Sequence, residues 1–285
     1  MHRVHPFTKM LVGAFLLSGL ICLCSCHNEE NNQKSGASAP EAIDTPQSND
    51  ATIRELASNF LLNTNQLNAQ QRAVQLDSML YVVSGDSLAF RHLETLLVPA
   101  FGDPNSSYRN EDLYIHLLDA QLQSPWYSRM EKQIAENKRK LAIQNRVGQP
   151  ANNFTYITPE GVRKKMFDIK ARRLMLYFYN PECHSCIEMK ATLNKSPVLT
   201  EHLVTGDLKL LAIYTDADFS IWTKHLPENP ATWINGRDDN EYLFRNGIYN
   251  LKAIPCIYLL NENKQVILKD CMSVKEIEDE LPKIY

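Results

Sequence analysis

A second Cys-x-x-Cys pair is missing, and so is any paired His/Cys motif that could join Cys183-His184-Ser185-Cys186. Two thiols supply only half of a tetrahedral zinc shell, so metal binding is not expected, and no cofactor is implied. Charge of one sign is also lacking. A net charge of -3 and a pI near 6.3 create no basic field, which excludes nucleic acid as an expected partner. The cluster Lys138-Arg139-Lys140 then reads as a solvated helix face. Residues 51–145 show no catalytic spacing, and His92 and His116 stand alone as surface or packing residues. The apolar run from Met10 to Leu23 is too short to cross a bilayer comfortably.

What is present centres on residues 174–190. Leu174 to Tyr179 is an apolar, aromatic-rich run that predicts a buried strand, Asn180-Pro181 breaks it, and helical character begins at Cys183. Two thiols therefore sit at a strand-to-helix junction, close enough for a short-loop disulfide. Backbone N–H groups at a helix start favour negative charge on a sulfur placed there. That combination points to redox chemistry.

The span from about Val147 to Tyr285 resembles a thioredoxin-like domain of the TlpA/ResA type. The resemblance rests on Gly148-Gln149-Pro150-Ala151 with Phe154-Thr155, on Tyr179-Asn180-Pro181-Glu182-Cys183-His184-Ser185-Cys186, on Ala212-Ile213-Tyr214-Thr215-Asp216, and on Ala253-Ile254-Pro255. It implies a thiol-disulfide oxidoreductase, in which Cys183 attacks a protein disulfide and Cys186 resolves the adduct. It further implies that Ile254 and a cis Pro255, with His184, face the substrate, and that an upstream electron donor of unknown identity recharges the dithiol. The Pro-x-x-x-Thr-x-x-Cys pattern of thiol peroxidases is absent around Cys183. A non-catalytic reading stays open, in which the helical segment recruits a partner and the sheet is scaffold.

Two departures from the family pattern concern Cys186. Tyr177 stands where the family places a buried acid, and Glu188 is the nearest carboxylate by sequence, although a solvated place on the first helical turn suits it better. Cys256, directly after Pro255, reads as a small core residue, with a third redox thiol or a disulfide to Cys271 as less favoured alternatives.

The chain is expected to be an α/β thioredoxin-like domain at 147–285 preceded by an all-α domain at 51–146. Residues 1–25 have a basic start (His2, Arg3, Lys9) and an apolar centre, the pattern of a secretory signal. Leu23-Cys24-Ser25-Cys26 resembles a bacterial lipobox, which implies acylation of Cys26 and a lipid-anchored, extracytoplasmic protein on the periplasmic face or cell surface. Residues 26–50 are polar and Pro-containing, a predicted disordered tether. In the helical segment, Ile53/Leu56/Phe60, Val74/Met79/Val82, Leu88/Leu93/Leu96/Leu97 and Leu113/Leu117/Leu118/Leu122 mark predicted buried faces, and Ser124-Pro125 is a predicted start of the last helix. The resemblance likens this segment to the helical domain that precedes thioredoxin-like modules in Bacteroidota lipoproteins.

Overall fold

Five helices come first in the computed structural model, which describes residues 50–283: α1 (Asp50–Asn63), α2 (Ala69–Val83), α3 (Ser87–Gly102), α4 (Glu111–Gln123) and α5 (Arg129–Ala142). The predicted signal segment, Cys26 and nearly all of the predicted tether lie outside the described residues. Short polar side chains start these helices by accepting the N–H bonds that the first turn cannot make internally. Asn68 with Gln71 and Ser128 with Glu131 form capping boxes, and Asp86 and Asn110 cap α3 and α4. The last helix thus begins at Ser128, four residues beyond the predicted start. Ser124 instead follows the end of α4 and takes a hydrogen bond from Trp126 N. The predicted period of α2 holds but its phase shifts by a few residues: Leu76, Met79, Leu80 and Val83 are buried, while Val74 and Val82 face solvent. Leu88, in the first turn of α3, is likewise 78% exposed.

Glu94 on α3 is an acid buried inside this helical core, at 2% exposure. Tyr127 Oη and Gln121 Nε2 donate to its Oε2, and Oε1 has no partner among the described residues. Burial raises its carboxyl to about 7, against the pull of Tyr127, Gln121 and Arg91. A raised carboxyl pKa means that the folded state keeps a proton that the unfolded chain releases. The associated stability is complete below pH 4.5 and is lost as pH rises towards 7. Glu94→Gln, which retains both incoming bonds, should remove on the order of 2–3 kcal/mol of this pH dependence. Melting temperatures at pH 5 and pH 7.5 check this: the wild type should lose several degrees more than the variant, and equal losses would show that Glu94 does not titrate in that window.

The sheet part contains β1 (Thr155–Ile157), β2 (Arg163–Lys165), β3 (Arg173–Tyr179), α6 (His184–Lys195), α7 (Pro197–Thr205), β4 (Leu208–Tyr214), α8 (Phe219–His225), β5 (Ile234–Arg237), α9 (Tyr242–Arg245), β6 (Cys256–Asn261), β7 (Val266–Leu268) and α10 (Val274–Glu280). The strand order is β2-β1-β5-β4-β3-β6-β7. Strands β3, β4 and β5 run parallel through helical connections, and β6 and β7 close one edge antiparallel. Both faces of β3 are covered, which explains its unbroken apolar run. Met175, Tyr177 and Tyr179 pack under α6, α8 and α10, while Leu174, Leu176 and Phe178 meet Phe154, Tyr249 and Leu243 on the other face. Helix α7 was not anticipated. Ser196 caps it and Pro197 fills its first position, so a single polar residue separates it from α6.

The described residues pack as one compact unit in which the helices and the sheet keep separate cores. The join between them is polar and specific. Lys269 Nζ donates to the carbonyls of Ala142 (3.0 Å) and Gln144 (2.7 Å) at the end of α5 and pairs with Glu111 at 2.6 Å. Asn145, held at φ 50°, donates to the Ile248 carbonyl at 2.8 Å and accepts from Asn152 N at 2.6 Å. Arg109 pairs with Asp270 across the same boundary.

Candidate functional site

The turn after β3 is built by Asn180. Its carbonyl accepts from Cys183 N at 3.1 Å, its Oδ1 from Glu182 N at 2.9 Å, and its Nδ2 donates to Asp216 Oδ2 at 3.1 Å. With Pro181 fixing the backbone within it, the turn delivers Cys183 to the N-cap of α6, where the Cys183 carbonyl accepts from Ile187 N at 3.0 Å. Cys186 follows one turn later on the inward stripe with Met189 and Leu193.

The two thiols, both free, differ in access. Cys183 is half-buried, whereas Cys186 is 1% exposed. Burial, aided by the neighbouring Cys183, pushes the Cys186 thiol up to about 12, although the Asn180 backbone pulls the other way. Only Cys183 is placed to meet a large substrate. Its Sγ lies 3.7 Å from the Ile254 carbonyl oxygen, and the Ile254-Pro255 peptide is cis, as expected from the sequence. Residues 71 positions apart thus meet at one sulfur.

Glu188 takes the solvated place expected of it. His184 and Glu188 pair at 3.2 Å with side chains 86% and 67% exposed, so Glu188 faces water and a solvated pair of this kind contributes little. Tyr177, at the position of the missing acid, donates its hydroxyl to the Cys186 carbonyl at 2.8 Å, stacks on Tyr179 and meets Trp233 edge-on. It braces the helix start and makes no bond to the Cys186 sulfur. Among the described residues no carboxylate bonds that thiol.

Cys256 and Cys271 lie on opposite faces of the sheet, which rules out a bond between them. Cys256 is fully buried, and its thiol donates to Asp270 Oδ1 at 2.8 Å; Asp270 in turn holds Arg109. Burial and the Asp270 charge raise this thiol well above its ordinary value. Cys271 contacts the Ser273 carbonyl and Glu276 and rises to about 11, chiefly by burial. Neither thiol reaches the surface. Reading the sequence missed the Cys256-Asp270-Arg109 chain because its members come from a strand, a loop and a helix-linking segment far apart in sequence.

Among the described residues no three His, Cys, Asp or Glu side chains converge to hold a metal. A groove of about 540 Å³ lies on the helices between Tyr81, His116 and Trp126 and has no cysteine in its lining. A smaller one, about 320 Å³, opens beside Ile254.

A thioredoxin-like protein from Bacteroides caccae, solved as a crystal structure, superimposes with a TM-score of 0.74 at 32% identity, covering 84% of this chain and 85% of that one. This coverage exceeds what residues 147–285 alone could supply, so the likeness includes the helices. The C-terminal domain of an uncharacterized protein from Bacteroides fragilis is 37% identical over 49% of this chain and 99% of its own, with a TM-score of 0.47. A conserved protein of unknown function from Bacteroides fragilis is 34% identical over 48% of this chain and 98% of its own, with a TM-score of 0.46. No family model and no curated protein matches the chain.

Proposed function

Because this chain belongs to the thioredoxin-like proteins, we propose that it is a thiol-disulfide oxidoreductase that reduces protein disulfides through Cys183 and Cys186. One observation carries the reading: an accessible thiol at a helix start, beside the Ile254 carbonyl, is backed one turn later by a buried thiol held protonated. The Cys183 thiolate attacks a substrate disulfide, forming a Cys183-substrate bond and expelling one substrate thiolate. Cys186 then gives up its proton and attacks the Cys183 sulfur. The Cys183-Cys186 disulfide forms, the second substrate sulfur leaves, and the proton ends on a released thiolate. Two electrons pass to the substrate, and an external dithiol restores the pair. The raised Cys186 value supports a fixed division of labour, since the sulfur that is harder to deprotonate attacks only when a bonded neighbour is already presented to it. Catalysed reduction of a protein disulfide by the wild type, set against serine variants of each cysteine, is the test.

The reading extends to location. The lipobox-like Leu23-Cys24-Ser25-Cys26 supports export and acylation at Cys26, with residues 26–50 as the tether. One acyl chain binds a bilayer marginally, so stable anchoring requires the two or three that lipoprotein processing supplies. Metabolic labelling with a fatty acid should mark the wild type and not Cys26→Ala; equal labelling of both would sink the tether.

A further inference from the structure

The groove beside Ile254 continues beyond the sheet. Its walls include Phe244, Leu251 and Lys252. Phe244 also closes a second hollow whose opposite side is α5, through Asn137, Lys140 and Leu141. Leu141 and Lys252 share a crevice with Lys138 of the same helix. One surface therefore runs from Cys183, past Ile254 and the half-exposed Phe244 ring, to the lysine face of α5.

Its charge is uneven. At the Cys183 end Asp216 is occupied by Asn180 Nδ2 and Ala217 N, and Glu241 is neutralised by Arg245 at 2.7 Å. At the α5 end Lys138, Lys140 and Lys252 have no ion-pair partner among the described residues, and Lys138 and Lys252 are near enough for the one to repel charge on the other. An anionic ligand relieves that repulsion, and a cationic one adds to it.

We propose that α5 forms the far wall of the substrate groove and selects extended polypeptides that carry, beside the cysteine, an apolar side chain for Phe244 and acidic residues for Lys138 and Lys252. The inference rests on the redox reading above and adds a role for the helical region. An extended segment can pair with the Ile254 backbone as an added strand, with alternate side chains turned to the groove. Charges on a groove rim act mainly on the rate of encounter, so the selection should be kinetic and sensitive to salt.

The test uses the full chain carrying Cys186→Ser, which retains its adduct. Cysteine peptides activated as mixed disulfides with nitrothiobenzoate, sharing one apolar residue and flanked by either Glu or Lys, are compared by release of the chromophore. Each rate is divided by the rate for a small uncharged disulfide on the same variant. The acidic peptide should react at least about tenfold faster than the basic one in low salt, with the preference shrinking as salt is added. Lys138→Glu with Lys252→Glu should invert the ratio, and Lys252→Gln should give an intermediate one. Equal rates for both peptides, with normal reaction of the small disulfide, would overturn the α5 wall and leave the redox reading intact. No reaction with any disulfide would overturn both.

Discussion

Serine at position 183 should lower catalysed disulfide reduction by on the order of a thousandfold or more, since only binding remains once a nucleophile is removed. Serine at position 186 should also stop turnover, but for a different reason: the first attack still occurs, and the enzyme accumulates as a covalent adduct that nothing resolves. Non-reducing electrophoresis and intact mass distinguish the two. The asymmetry follows from access, because Cys183 is half-buried with its sulfur 3.7 Å from the Ile254 carbonyl, while Cys186 is 1% exposed and held protonated by burial. Adducts on Cys183→Ser and none on Cys186→Ser would reverse the roles. Full activity in both variants would leave the sheet as a scaffold and move attention to the helices as a partner-binding surface.

Removing Arg109 should produce the largest loss of stability of any single change at the boundary between helices and sheet. The Asp270 side chain is 10% exposed and receives both the Arg109 guanidinium and the Cys256 thiol. Arg109→Ala leaves that carboxylate buried without a counter-charge, for which breaking a buried pair costs about 3–5 kcal/mol. For a chain of this size the melting temperature should fall by roughly 6–15 °C. Asp270→Asn should cost much less, because Arg109 is 27% exposed and can turn towards water, and the amide oxygen still accepts from Cys256. The double variant should recover most of the Arg109→Ala loss, a coupling that a double-mutant cycle measures directly. A loss below about 0.5 kcal/mol for Arg109→Ala would mean that the pair behaves as an ordinary surface contact.

What could be read directly from the chain was whatever local physics encodes. The run Leu174–Tyr179, the break at Asn180-Pro181 and the cysteines spaced three apart place two thiols at the start of a helix because strand burial, turn chemistry and helical pitch each act over a few residues. The hairpin around Gly161 and the strand that follows Pro255 were legible on the same grounds. Boundaries were less so. Ser124-Pro125 and Ser128 both carry start signals, and the capping box completed by Glu131 decides for Ser128. The tertiary structure alone decided the surroundings of the thiols. It paired Glu188 with His184, set Tyr177 on the Cys186 carbonyl, and braced Cys256 through Asp270 to Arg109. Contacts such as Arg109 with Asp270 join residues 161 positions apart. No periodicity or turn preference reports such a separation, because the contact exists only once two separately encoded cores have packed against each other.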